Sequence, residues 1–274
     1  MTDKTSPAGW RLIVTPPVTG AENMAIDEAL LRSFSGPASL PVLRLYGWDP
    51  PTLSLGRFQQ AAEVLDLDRC RTTSVPVVRR ITGGGVIYHG DEITYSLVCA
   101  PEQISPVSSV KDSFRVLTGF LLTFYRSLGL DAAYAVDASP EGTRLGERTP
   151  FCFAGKESFD ILVNGKKIGG NAQRRLKGAI FQHGSIPLLN RAVDGLGYMR
   201  DKTPDHAAGV VSLAECAVSD TRETLMARLE TEFSGHFAVE LLRSRLSEEE
   251  QRTCGELLAG RYRSDLWNLE GVDR

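Results

Sequence analysis

VPVVRRITGGGVIYHGDEITYSLVC, residues 75–99, decides how this chain folds. Val75 to Arg80 is an apolar, β-branched run that enters a glycine-rich turn. Ile93, Tyr95, Leu97 and Cys99 then alternate as in a half-buried strand. No helical periodicity separates the two runs, so one strand follows another without a helical crossover.

The same habit extends in both directions. Trp10, Leu12 and Val14 alternate as a first strand. Thr19-Gly20-Ala21-Glu22 fits a capping box, and Ile26, Leu30 and Phe34 follow at helical spacing until Gly36-Pro37. Val42 to Tyr46 and Thr52 to Leu55 read as strands, and Glu63 to Cys70 as a short helix. Downstream, Ser109 opens a helix with the stripe Phe114, Leu117, Leu121 and Phe124, closed by Gly129. Phe159 to Val163, Asn164-Gly165 and Lys166 onward read as a hairpin with a type I′ turn. Gly178 to Leu188 is a further strand, and Ala135 to Pro150 an exposed loop. After about Asp194 the pattern turns helical, over Leu225 to Phe233 and Glu248 to Leu258. The expected class is α/β (α+β), with mixed, mostly antiparallel and hairpin-connected sheets packed with helices. Residues 1–274 are read as one domain with a helical C-terminal section from about 220.

The chain has 274 residues, 31 Lys+Arg and 34 Asp+Glu, for a formal net charge of −3. That length is ample for a large core, and the balance argues against a dedicated nucleic-acid binder. The first apolar run, Leu12 to Val14, is too short for a signal-peptide core, and no stretch approaches a membrane span. A cytoplasmic protein, acting as a monomer without nucleic acid or membrane, is expected. The five cysteines are Cys70, Cys99, Cys152, Cys216 and Cys254, widely spaced and with no Cys-x-x-Cys. Neither a disulfide framework nor a zinc site is expected. Four read as small buried hydrophobes. Cys152 differs, because it ends a polar loop and precedes a lysine-bearing strand; a depressed thiol pKa would make it a nucleophile.

Three other segments offer chemistry. In Arg79 to Gly90, the run Gly83-Gly84-Gly85 leaves backbone amides bare for a ligand's oxygens, although a tight turn alone explains it equally. It is not a dinucleotide fingerprint, since Tyr88 stands where the third glycine belongs. In Gly165 to Gln173, a lysine lies beside small residues; Lys166 and Lys167 face opposite ways in strand alternation, so at most one enters a site. Phe181 to Ile186 carries His183. A lone histidine such as His183 or His89 serves structure at least as readily as catalysis, and His206 and His236 have no supporting context.

Together these segments resemble the lipoate–biotin protein ligase and octanoyltransferase superfamily almost from end to end. The resemblance runs through Asn23 to Leu30, Tyr46 to Pro50, Arg79 to His89, Asp91 to Ser96, Lys167 to Gln173, Gln182 to Ile186 and Tyr262 to Asn268. It is nearest to the cysteine-dependent octanoyltransferases of Bacillus-type lipoate assembly, in which a cysteine shortly precedes the lysine motif, as Cys152 precedes Lys167.

The resemblance implies a biotin-ligase-like fold, related to class II aminoacyl-tRNA synthetases. It also implies octanoyl transfer from acyl carrier protein to a lysine of a lipoyl domain, such as glycine-cleavage H protein or a 2-oxoacid dehydrogenase E2. Cys152 would hold the acyl group as a thioester, and Lys167 would favour the thiolate and bind the acyl carbonyl. Arg80, Gly83, Gly84, Gly85, Gly169, Gly170, Asn171, Ala172 and Gly184 would wall the pocket, with His89 and His183 at its border. No metal and no cofactor would be required. The glycine turn is nearer that of ATP-using lipoate ligases, so a lipoate-protein ligase consuming ATP with Mg is the first alternative. Many such ligases carry a further C-terminal domain, and little chain follows Asn268. A non-catalytic acyl or lipoyl-domain binding protein is the second alternative.

Overall fold

The computed structural model describes residues 8–104, 109–138 and 157–273. Its strands are β1 (Ala8–Val14), β2 (Val42–Tyr46), β3 (Thr52–Leu55), β4 (Val77–Arg79), β5 (Ile87–His89) and β6 (Glu92–Cys99). They continue with β7 (Ala132–Tyr134), β8 (Ile161–Val163), β9 (Lys166–Lys167), β10 (Gly170–Leu176), β11 (Ala179–Pro187) and β12 (Val239–Arg243). A six-stranded sheet has the order β10-β11-β6-β2-β1-β12, and two three-stranded sheets run β4-β3-β5 and β7-β8-β9.

Most pairings are antiparallel, as the sequence suggests, but β1–β2, β1–β12 and β3–β4 are parallel. The connections are therefore less hairpin-like than expected. Helix Gly20–Ser33 crosses from β1 to its parallel neighbour β2, and it opens on the expected capping box of Thr19 and Glu22. Strand β12 corrects the purely helical C-terminal section: Val239 and Leu241 alternate, pack against the core, and pair the edge of β1. The short helix expected over Glu63 to Cys70 is broken in two, because Leu65 bridges Met199 and Asp66 caps a new turn at Arg69.

Strand β6 is buried on both faces, not half-buried. Its apolar alternates Ile93, Tyr95, Leu97 and Cys99 join the core beneath helices Val110–Ser127 and Arg222–Phe237. The opposite face packs Val42, Tyr46, Val98 and Phe181 against helix Gly20–Ser33 and Tyr262 and Trp267 of the C-terminal segment. Alternation here encodes polarity rather than exposure, because the second face also carries Thr94 and Ser96. Trp10 anchors the first layer edge-on to Phe233, with ring centroids 5.0 Å apart. Among the described residues, no helix is long and apolar enough to cross a membrane.

Candidate active site

Directly paired residues on neighbouring strands share one face of a sheet. The pairings Ala172↔His183, His183↔Ser96 and Ser96↔Arg44 therefore form one row across β10, β11, β6 and β2. Asp27, from helix Gly20–Ser33, meets this row. Its carboxylate accepts hydrogen bonds from Arg44 Nη1, Tyr46 OH and Ser96 Oγ, each at 2.8 Å. Burial alone would raise the Asp27 pKa, but the Arg44 charge, with His183 and Tyr46, outweighs it and holds it below the usual range.

His183 Nδ1 lies 3.8 Å from Asp27 Oδ2, an electrostatic neighbour rather than a hydrogen bond. Its Nε2 is 2.7 Å from Thr82 Oγ1, at the start of the glycine turn. Burial lowers the His183 pKa, so the ring is neutral at neutral pH. His89 is fully engaged: Nε2 lies 2.8 Å from Ser54 Oγ and Nδ1 2.9 Å from Glu92 Oε1. The His89 ring also stacks on Trp48 at 3.8 Å. With both nitrogens occupied, His89 holds β3 to the start of β6.

The glycine turn is shaped from beneath by Arg80. Its Nη2 donates to Gly83 O and Gly85 O at 2.8 Å, and its Nη1 to Ser54 O at 3.0 Å. Gly84 has φ +98°, which a side chain would strain, while a Cβ on Gly83 would meet nothing within 4 Å. Arg80 thus fixes carbonyls inward and leaves one side of the turn open.

Lys167 is set by the β8–β9 hairpin. Asn164 (φ 51°) and Gly165 (φ 72°) make the expected I′ turn, which exposes Lys166 and buries Lys167. The lysine side chain, 4% exposed, places its ammonium 2.7 Å from Asp160 Oδ2. Its backbone is held as well: Lys167 N donates to Gly209 O and Val211 N to Lys167 O. Asp160 was not singled out in the sequence. The signal was the register, since Leu162 pairs Lys167 and Asp160 lies two residues before Leu162, on the same face.

Between the lysine and β10 the chain changes sheets. Gly169 (φ +84°) passes so close to β11 that a Cβ would lie 2.0 Å from Ser185 O. Gly170, Asn171 and Ala172 then line the edge strand. Asn171 Oδ1 accepts from Tyr95 OH at 2.7 Å, and Gly184 makes this possible, because its Cβ would fall 2.2 Å from that same oxygen. Gln182 Nε2 donates to Tyr95 OH at 3.0 Å, extending the support through the core.

Cys152 lies outside the described residues. The other four cysteines all have thiols raised by burial, Cys99 to about 12. Cys70 and Cys99 are fully buried, as expected, whereas Cys216 and Cys254 are half-buried.

The comparisons with known proteins give the class, an α/β catalytic domain of the lipoate-ligase type. The chain belongs to the lipoyl protein ligase A/B catalytic domain family, whose model matches residues 19–234. It is 36% identical over 269 residues to a protein named octanoyltransferase LipM of Exiguobacterium sp., covering 94% of this chain and 97% of that protein. A protein of the same name from Brevibacillus brevis is 35% identical over 274 residues, covering 95% and 98%. Among solved structures, a lipoate-protein ligase A bound with ATP superposes with a TM-score of 0.81 at 25% identity, covering 96% of this chain and all of that one. A putative lipoate protein ligase from T. acidophilum with bound lipoic acid gives 0.79 at 27% identity, covering 96% and 99%.

Proposed function

We propose that this chain is an octanoyltransferase of protein lipoylation that works through a cysteine thioester. In the first step the Cys152 thiolate attacks the acyl carbonyl of octanoyl-acyl carrier protein. The carrier's sulfur leaves and takes a proton. In the second, the neutral ε-amine of a lipoyl-domain lysine attacks the new thioester, the nitrogen gives up a proton as the amide forms, and the cysteine sulfur leaves and takes it. H protein and the E2 lipoyl domains are the acceptors this chemistry fits. The first exchange is thioester for thioester and the second is downhill, so no nucleotide is consumed. An eight-carbon chain gains about 0.8 kcal/mol per buried CH₂, which makes an apolar slot the main source of affinity.

The observation that carries the reading is the buried Lys167 ammonium held beside Asp160, just before Gly169 and Gly170 lead the chain into β10. A cation there favours a nearby thiolate and an acyl oxygen in the transition state. Burial raises the thiols of the four described cysteines, which makes them poor nucleophiles, and the reading assigns that role to Cys152. The naming of the relatives supports octanoyl transfer over ligation.

The test is intact-mass measurement after incubation with octanoyl-acyl carrier protein in the absence of ATP. An octanoyl adduct, lost in Cys152→Ser, is expected. Acceptor modification only with ATP and free acid would instead establish the ligase reading, which the superposition on an ATP-bound ligase favours. Binding without either reaction would leave a non-catalytic module.

A further inference from the structure

Three segments that are distant in sequence meet beside the glycine turn. Arg57 N donates to Thr82 O at 2.8 Å, and Gly56 approaches Gly84 so closely that its Cβ would lie 2.0 Å from Gly84 O. Arg174, near the end of β10, reaches Ile81 O with Nη1 at 3.4 Å. The β10–β11 hairpin closes on the two-residue turn Lys177-Gly178, with Gly178 at φ +78°. One continuous rim results, running from Arg57 and Phe58 across the glycine turn to Arg174, Leu176 and Lys177, while Arg175 turns to the other face, towards Gln173 Oε1 and Ser109 O.

Its composition is unusual for this acidic chain. Phe58 is 81% exposed and Leu176 43%. The Arg57 guanidinium lies 5.9 Å from the Phe58 ring centroid, and Arg57 and Arg174 are close enough to lower the Arg174 pKa, after burial. Lys177 is exposed at the tip. The neighbouring acids offset only part of this charge. Glu28 is taken up by Arg32, Arg261 and Tyr262, and Asp273 stands 3.8 Å from Arg57 while also pairing Arg261. An exposed aromatic among guanidinium groups is the make-up of an interface anchor, and a local excess of cations steers an acidic partner.

We infer that this rim docks an acidic protein, and that the partner is the carrier that delivers the acyl group. The assignment rests on the octanoyl-transfer reading. Charge favours donor over acceptor. The acceptor's reactive lysine arrives as a cation, which the three rim cations Arg57, Arg174 and Lys177 would repel. The donor brings a neutral thioester on an arm whose phosphodiester is anionic. Distance agrees: the hairpin tip stands about 20 Å along β10 from Gly170, at ~3.3 Å per residue, a span for a long flexible arm rather than a side chain.

The decisive variant is Arg57→Glu/Arg174→Glu/Lys177→Glu, with Phe58→Ala as a second that leaves charge untouched. With octanoyl-acyl carrier protein as donor, the triple variant should raise KM about tenfold or more and flatten its salt dependence. With the small donor octanoyl-N-acetylcysteamine, rates should match the unaltered protein, which also reports an intact fold. Titration of the carrier protein, without turnover, should show the same weakening in both variants. An unchanged carrier KM, a rise confined to the H-protein acceptor, or binding of duplex DNA but not of carrier would each overturn the inference. Carrier binding that is lost in the variants, but without any transfer by the unaltered protein, would sink the octanoyl-transfer reading and leave the docking surface standing.

Discussion

Lys167 Nζ and Asp160 Oδ2 are 2.7 Å apart with both side chains nearly sealed from water. A buried pair of this kind costs little while intact and much when one partner is removed. Lys167→Ala should therefore do two things at once. Acyl-adduct formation on Cys152 should slow by a factor on the order of 10²–10⁴, from loss of the cation that favours thiolate and oxyanion. Thermal stability should also drop, since an unpaired buried carboxylate costs about 3–5 kcal/mol. Lys167→Ala/Asp160→Asn should recover much of the stability and none of the rate. Lys166→Ala, whose side chain faces solvent, should change neither. Stopped-time mass measurement and thermal melts separate the four proteins.

The glycines of the site divide into two kinds, and substitution should expose the division. Gly169→Ala meets both a left-handed φ of +84° and a carbonyl 2.0 Å from the new Cβ. Strain alone is worth about 1–3 kcal/mol, and the clash adds to it, so the β9–β10 crossing should shift and the melt should fall by several degrees. Gly83→Ala meets open space, and its stability should stay within about 0.5 kcal/mol. The new methyl still stands over the proposed acyl channel, so KM for the octanoyl donor should rise. A destabilised Gly83→Ala with normal KM would remove the turn from the pocket.

Much of this architecture was legible in residue order, for reasons that differ by element. Thr19, Ser109 and Asn164-Gly165 announce local geometry through hydrogen bonds and φ preferences that act within four residues, and each does in the fold what its spacing dictates. The opposite facing of Lys166 and Lys167 follows from the two-residue period of a strand. Long-range pairings carry no such local mark. Strand β12 looks like a helix-flanking segment until β1 offers it a parallel edge, and Asp160 gains meaning only when β8 is laid against β9. Arg80 sits beside the glycine run in sequence, but its donors to Gly83 and Gly85 depend on a curl of the turn that spacing does not prescribe.

Stability should fall as the pH drops below about 6.5. Burial lowers the pKa of both His183 and His236, so the unfolded chain takes up protons near its ordinary histidine value that the folded chain refuses. The unfolded state then binds more protons, and each such histidine removes about 1.4 kcal/mol per pH unit until its folded pKa is reached. Asp27 and Glu92 act in the same direction at lower pH. Both have lowered folded pKa values, so their contribution is full above the ordinary carboxylate range and lost as pH falls through the folded values. Urea unfolding at steps between pH 5 and 7.5 should give this slope, and His183→Gln should reduce it by the share of one proton. A flat profile in the unaltered protein would mean that neither His183 nor His236 has its pKa lowered by the fold.

Arg79 is the joint between the site and the C-terminal segment. Fully buried, it donates from Nε to Trp267 O at 2.8 Å, from Nη1 to Gly56 O, Arg57 O and Gln59 O at 2.6–3.1 Å, and from Nη2 to Leu269 O at 3.1 Å. Its own carbonyl accepts from Trp267 Nε1 at 3.0 Å. No carboxylate balances this charge in those contacts; it is held by backbone dipoles, and burial lowers its pKa. A lysine has neither the planar fork nor enough donors to serve five carbonyls in three directions, so Arg79→Lys should leave several unsatisfied. At about 1–3 kcal/mol per buried unmet group, local release is cheaper than keeping the arrangement. Residues 265–271 and 56–59 should therefore gain amide exchange together in Arg79→Lys, while β6 and β11 stay protected. Exchange rising in only one of the two segments would show that something other than Arg79 couples them.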